Sequence, residues 1–170
     1  MIAILLAGGQ SSRFAIGSFM PKPLIYIGTK PVINQIVDKL LKTENIETIY
    51  VLAGQEQYFS DSDIGQENKF DLDARVALWR SWKYEWYPDK EKKFDKVKLV
   101  FGEDLPPNIG RSGKGAILGL YRFLLWIHKG ASLEGKRYPR RIEPPGLDDN
   151  DHLLICAADN YWEDELDGLL

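Results

Sequence analysis

The pattern of apolar and polar positions predicts short buried strands separated by amphipathic helices. Three apolar runs, Met1–Ala7, Glu47–Ala53 and Leu153–Ala158, show little alternation, which is typical of strands covered on both faces. A fourth and weaker candidate is Lys96–Phe101. These runs predict a sheet whose strands are mostly buried.

Helical periodicity lies between the strands. Pro31–Thr43 and Ala116–His128 carry apolar residues at spacings of three and four, which places them on one side of a helix. Strands that alternate with helices imply βαβ units and an α/β fold with an open, mostly parallel sheet. Right-handed crossovers then bring the loops after the strands to one edge, where ligands usually bind.

Two segments look like additions to this single domain, which we expect to span residues 1–170. The first, residues 71–96, begins with a helical pattern over Asp71–Tyr87 and continues as a charged run. Its three tryptophans predict a buried aromatic stripe, and the alternative is a partner surface or a wall of the site. The second, residues 130–151, is rich in proline, glycine and charge and predicts a loop. The tryptophans are Trp79, Trp82 and Trp86.

The charge, the cysteine count and the apolar runs exclude several classes of protein. The 170 residues carry 22 Lys and Arg against 25 Asp and Glu, for a net charge of -3, which argues against general nucleic-acid binding. A single cysteine, Cys156, excludes an internal disulfide and a cysteine-based zinc site. The longest apolar run is interrupted by Arg122, and no export signal is visible. We therefore expect a cytoplasmic protein with no membrane segment.

The segment after the first strand, residues 6–14, carries the chemistry of an anion site. It reads Leu-Ala-Gly-Gly-Gln-Ser-Ser-Arg-Phe. Two glycines let the backbone approach a ligand and expose N–H groups, two serines add donors, and an arginine suits phosphate oxygens. The alternative for the glycines alone is a simple tight turn. The residues concerned are Gly8, Gly9, Ser11, Ser12 and Arg13.

A lysine between two prolines follows the glycine loop. Pro21 and Pro23 flank Lys22, and we expect them to hold its backbone extended and stiff. A lysine beside a phosphate loop can neutralise charge that develops as phosphoryl bonds break. Together with Arg13, it favours a phosphate site over the tight turn.

These motifs resemble the N-terminal signature of the sugar-phosphate nucleotidyltransferases. That family carries L-A-G-G-x-[GS]-[ST]-R-[LF], then P-K-P-L, then G-K-P-[VI]-I. Here the last element is residues 28–33, Gly-Thr-Lys-Pro-Val-Ile, with Thr29 inserted. The Ser-Ser-Arg-Phe variant looks closest to members linked to capsule and surface-polysaccharide synthesis. The resemblance implies a three-layer, Rossmann-like sheet of the nucleotide-diphospho-sugar transferase type.

The resemblance also implies roles for single residues. Arg13 and Lys22 would hold the triphosphate and stabilise the transition state, and Asp159 would bind Mg²⁺. A family stretch that contacts the base, G-T-A-G-A-L, matches Ser-Gly-Lys-Gly-Ala-Ile at residues 112–117 in two positions. The residues implied to contact the nucleotide are Leu6, Ala7, Gly8, Gly9, Ser11, Ser12, Gly115 and Ala116.

Asp159 has two interpretations that rest on the residues alone. It follows a predicted buried strand, at the edge where ligands bind in such a sheet, and a carboxylate there suits Mg²⁺. The alternative is an N-cap for the acidic segment Trp162–Leu169. The glycine loop favours the metal interpretation.

We therefore expect a nucleotidyltransferase that joins an NTP and a sugar-1-phosphate, with Mg²⁺ as its cofactor. Two alternatives remain: a non-catalytic nucleotide-binding module, or a transferase for another phosphate such as choline phosphate. In the resembled family, the strand that carries the metal-binding Asp falls near the middle. We therefore also expect that the C-terminal, acceptor half is missing here, or that a partner chain or a homo-oligomer supplies it.

Overall fold

The computed structural model of the protein describes residues 1–8, 20–53, 66–91, 94–101, 105, 116–129, 132–133, 136–137 and 152–158. The strands are β1 (Ile2–Leu6), β2 (Tyr26–Ile27), β3 (Lys30–Pro31), β4 (Thr48–Leu52), β5 (Val97–Val100), β6 (Ser132–Leu133), β7 (Lys136–Arg137) and β8 (Leu153–Ala157). The helices are α1 (Val32–Lys42), α2 (Gln66–Trp86) and α3 (Ala116–Lys129), and Lys22–Leu24 forms a 3-10 turn.

The main sheet has four parallel strands in the order β5-β4-β1-β8. In its register, Ile4 of β1 lies between Tyr50 of β4 and Ile155 of β8. The chain first builds β4 and β5 on one side of β1 and then crosses over to place β8 on the other side. The strand order therefore reverses between β1 and β8, the point at which open α/β sheets bind ligands.

Each face of the sheet packs into its own buried cluster. Ala3 and Leu5 of β1 pack with residues of α1 and α2, whereas Ile2 and Ile4 pack with residues of α3. Successive strand residues point to opposite faces, so one apolar strand serves both clusters. The result is a helix–sheet–helix sandwich, and the predicted α/β class with a mostly parallel sheet is confirmed.

The helices agree closely with the sequence patterns, apart from the start of α2. The ends of α1 and α3 lie within one residue of the predicted ends, whereas α2 begins at Gln66, five residues before the predicted start. Trp79 and Trp82 are 1% and 4% exposed, which confirms the buried stripe for these two, while Trp86 is half-buried. No helix in the described ranges is long and apolar enough to cross a membrane.

Three local predictions were wrong. The Leu153–Ala158 run predicts a strand covered on both faces, but Ile155 is 44% exposed, and β8 is the last strand in the order of the described sheet. Lys22 is not extended but opens the 3-10 turn, because such a turn uses the N–H groups of Leu24 and Ile25 and needs none from the prolines. Within residues 130–151, β6 and β7 form a short antiparallel hairpin rather than a continuous loop. Thr29, the insertion relative to the resembled pattern, lies in the two-residue turn of the β2–β3 hairpin.

Candidate functional site

The carboxyl edge of the sheet is regular up to the glycine loop. The N–H of Ala7 donates to the carbonyl of Leu52 at 3.1 Å, and the N–H of Ala158 donates to the carbonyl of Leu6 at 3.2 Å. Both bonds extend the ladder one residue beyond the strands. Gly8, which is half-buried, follows directly. The start of the glycine loop and the end of β8 are therefore hydrogen-bonded neighbours where the strand order reverses.

The structure describes only some of the predicted site residues. Leu6 ends β1, Ala7 is buried, Gly8 follows it, and Ala116 is the first residue of α3. Asp159 comes directly after Ala158 in the chain, so the metal prediction concerns the residue next to the last described one of β8. The predicted residues that lie outside the described ranges are Gly9, Ser11, Ser12, Arg13, Gly115 and Asp159.

Hydrogen bonds and packing hold the backbone of Lys22 in place. The N–H of Ile25 donates to the carbonyl of Lys22 at 3.1 Å, and the N–H of Val32 donates to the carbonyl of Ile25 at 3.0 Å. Leu24 is buried in the same cluster as Ala7. The turn is thus attached to the start of α1 and to the buried cluster that also contains Ala7. The side chain of Lys22 is half-buried.

Two polar contacts tie α1 to α2. Trp82 Nε1 donates to Asn34 Oδ1 at 2.7 Å in the buried interface. Tyr87 OH donates to Asp38 Oδ1 at 2.8 Å, and Lys30 Nζ lies 2.8 Å from Asp38 Oδ2. Asn34 Nδ2 is buried and has no hydrogen-bond partner within the described chain. These contacts fix the helix that follows the Lys22 turn.

The sequence patterns do not predict these contacts between α1 and the Trp82–Tyr87 segment. Asn34 and Asp38 are four residues apart, so a helix places them on one side. This spacing is the one local sign that both could contact the same neighbouring segment. Their partners, Trp82 and Tyr87, lie 48 and 49 residues further along the chain. No local pattern connects positions so far apart.

Among the described residues, three buried groups have raised pKa values: Tyr50, Tyr87 and Cys156. Burial raises the pKa of the Tyr87 hydroxyl well above its ordinary value, and the Asp38 carboxylate that accepts its hydrogen bond raises the pKa further. Burial also raises the pKa of the Cys156 thiol to about 11. Cys156 is 3% exposed and packs in the cluster beneath α1 and α2. Cys156 is therefore a core residue, and a neutral thiol is a poor nucleophile.

The described part of the chain contains no group of three or more side chains arranged to hold a metal ion. The predicted ligand, Asp159, lies outside that part.

Comparison with known proteins identifies the domain. The family model of the MobA-like NTP transferase domain matches residues 3–92, which is more than half of the chain. The match includes β1, the Lys22 turn, α1, β4 and α2. No curated protein and no solved structure gave a significant match. The chain belongs to the MobA-like NTP transferase domain family and therefore carries a nucleotidyltransferase domain, with an NTP as the implied substrate.

Proposed function

We propose that the protein joins an NTP to a sugar-1-phosphate, giving a nucleotide-sugar and pyrophosphate for surface-polysaccharide synthesis. One observation carries the site: the end of β1 and the end of β8 are hydrogen-bonded neighbours at the reversal of strand order, and Leu24 of the Lys22 turn is buried in the same cluster as Ala7 and Ala158. This reversal is the point at which open α/β sheets bind ligands. The sugar and the pathway rest on the resemblance of residues 6–33.

The reaction needs little proton transfer. An oxygen of the acceptor phosphate attacks the α-phosphorus of the NTP, the bond between the α-phosphorus and the bridging oxygen breaks, and pyrophosphate leaves with the electron pair. The nucleophile is already an anion, so catalysis is positioning and charge neutralisation. The N–H groups at Gly8 and Gly9 would bind phosphate oxygens, and Arg13 and Lys22 would stabilise the charge that builds up on them.

Mg²⁺ is the proposed cofactor. Asp159 would hold it, because a carboxylate oxygen is a ligand that Mg²⁺ prefers. In the sequence Asp159 follows Ala158, whose N–H donates to the carbonyl of Leu6 at the start of the glycine loop. When bound, the metal supplies positive charge to the phosphate oxygens. Ala158 is fully buried and bonded to Leu6, so the backbone that leads into Asp159 is anchored in the sheet.

Replacing the proposed catalytic lysine tests the function. Lys22→Ala should lower turnover by about 100-fold or more, because it removes a cation that stabilises the transition state. Turnover is measured as pyrophosphate release with each NTP and a panel of sugar-1-phosphates. Lys42→Ala, on the exposed end of α1, is the matched control and should keep full activity. Near-normal turnover in folded Lys22→Ala would exclude the role.

A non-catalytic nucleotide-binding module is the second candidate. It is favoured by Ala158, a fully buried residue where the resembled family has glycine before its metal-binding Asp. This candidate would be supported if the protein binds NTP saturably but releases no pyrophosphate. Release is measured with sugar phosphates and with non-sugar phosphates such as choline phosphate. Pyrophosphate release with only a non-sugar phosphate would show that the protein is a transferase whose acceptor is not a sugar phosphate.

A further inference from the structure

A pocket with aromatic walls lies between α2 and the segment that runs from the Lys22 turn into the β2–β3 hairpin. Its volume is about 140 Å³. Met20 and Leu24, two residues on either side of Lys22, contribute to one wall, and α2 contributes the other. The pocket is partly open to solvent, and its lining includes the exposed hairpin residue Tyr26.

Two aromatic rings meet at a corner of this pocket. The ring centroids of Tyr26 and Trp86 are 6.5 Å apart, and the ring planes are inclined by 61°. Tyr26 is 53% exposed, and Trp86 is half-buried. Trp82 forms the buried side and is held by its bond to Asn34. The pocket therefore has partly exposed aromatic surface next to Trp82, whose ring is held by the hydrogen bond to Asn34.

The charge of the pocket is negative. Among the described lining residues, Glu85 is the one that is charged, and its carboxylate is exposed and forms no ion pair within the described chain. Aromatic faces attract cations through their quadrupole, and the attraction strengthens as the cation is desolvated. The exposed Glu85 carboxylate also attracts cations.

We propose that this pocket binds a small organic cation, such as a quaternary ammonium group. The aromatic and apolar walls suit an alkylated cation, whereas a divalent metal would need several oxygen ligands and the described lining offers one carboxylate. An apolar neutral ligand would gain no electrostatic attraction from Glu85. The proposal goes beyond the proposed function, since binding in the pocket requires neither NTP nor transfer.

A titration with tetramethylammonium tests the proposal on the full chain without nucleotide. NMR signals of the Tyr26 and Trp86 side chains should shift and saturate. The neutral, similarly shaped tert-butanol should bind at least about fivefold more weakly, because it lacks the charge that the rings and Glu85 attract. Equal affinity for the two molecules, or no saturation with tetramethylammonium, would overturn the proposal.

Matched variants on α2 separate the pocket from the rest of the helix. Glu85→Gln should weaken tetramethylammonium binding about three- to tenfold, and Trp86→Leu about fivefold or more. Asp73→Asn and Tyr84→Leu, at exposed positions of α2 outside the pocket, should leave the affinity unchanged. An equal loss in the control variants would overturn the assignment to this pocket. Pyrophosphate release is measured in a separate assay. A pocket that binds no cation would therefore leave the proposed transferase activity untouched, and an inactive enzyme would leave the cation proposal untouched.

Discussion

At the scale of the residue, burial decides what a side chain can do. Cys156 is the single cysteine, and a lone thiol could be a nucleophile or a core residue. Its position on β8 beneath α1 and α2 makes it a core residue. Lys22 shows a different case, because its backbone conformation was predicted wrongly, whereas its role in charge stabilisation stays a prediction.

The Cys156 thiol predicts a dependence of stability on pH. Burial raises its pKa from 9.0 to about 11 in the folded protein, so between these values the unfolded chain binds fewer protons. The free energy of unfolding should therefore fall as pH rises through this window, by up to about 2 kcal/mol from the thiol. Urea unfolding at several pH values from 8 to about 11 measures it.

The control for this window is Cys156→Ala. Burial also raises the pKa values of Tyr50 and Tyr87, and their effect is present in both proteins. The difference between the two pH profiles therefore isolates the thiol. Parallel profiles would contradict the prediction.

At the scale of the element, local patterns predicted which segments form helices and strands but not all of their ends. Helix α2 starts at Gln66, before the tryptophan stripe gives a clear periodicity. The two-residue strands β2 and β3 are too short for a pattern. Their hairpin depends on the turn at Gly28, whose φ is +68°.

This turn predicts the effect of a single substitution. Gly28→Ala should lower the free energy of unfolding by about 1 kcal/mol, because a residue with a Cβ is strained at positive φ. The cost comes from the backbone alone, since a Cβ there would meet no atom within 4 Å. Urea unfolding measures the change. Thr29→Ala, at the other turn position, is the control, and equal losses in the two variants would contradict the explanation.

At the scale of the whole molecule, β1 is the centre of the fold. It is paired on both sides, and Ala3, Ile4 and Leu5 are fully buried. The β2–β3 hairpin is instead exposed from Tyr26 to Lys30. The two regions therefore differ in how much structure must open before their amides reach solvent.

Native-state hydrogen exchange should separate these regions. The amides of Ala3–Leu5 should exchange only through global unfolding, whereas those of residues 27–30 should exchange through local opening with a much smaller free energy. Exchange followed by NMR at increasing urea concentrations distinguishes the two routes. Equal protection of Ile27 and Ile4 would show that the hairpin is part of the global unit.

The sequence alone predicted the four strands of the main sheet and the three helices, because each depends on a local period. The phosphate-binding chemistry of residues 6–22 comes from a contiguous motif and stays a prediction, and the sequence places that motif directly after β1. Tertiary structure decided the order β5-β4-β1-β8, the turn at Lys22 and the meeting of Tyr26 with Trp86. Strand order and ring contacts join residues far apart in the chain, and the turn forms where its residues are buried against the core, so packing rather than local propensity selects them.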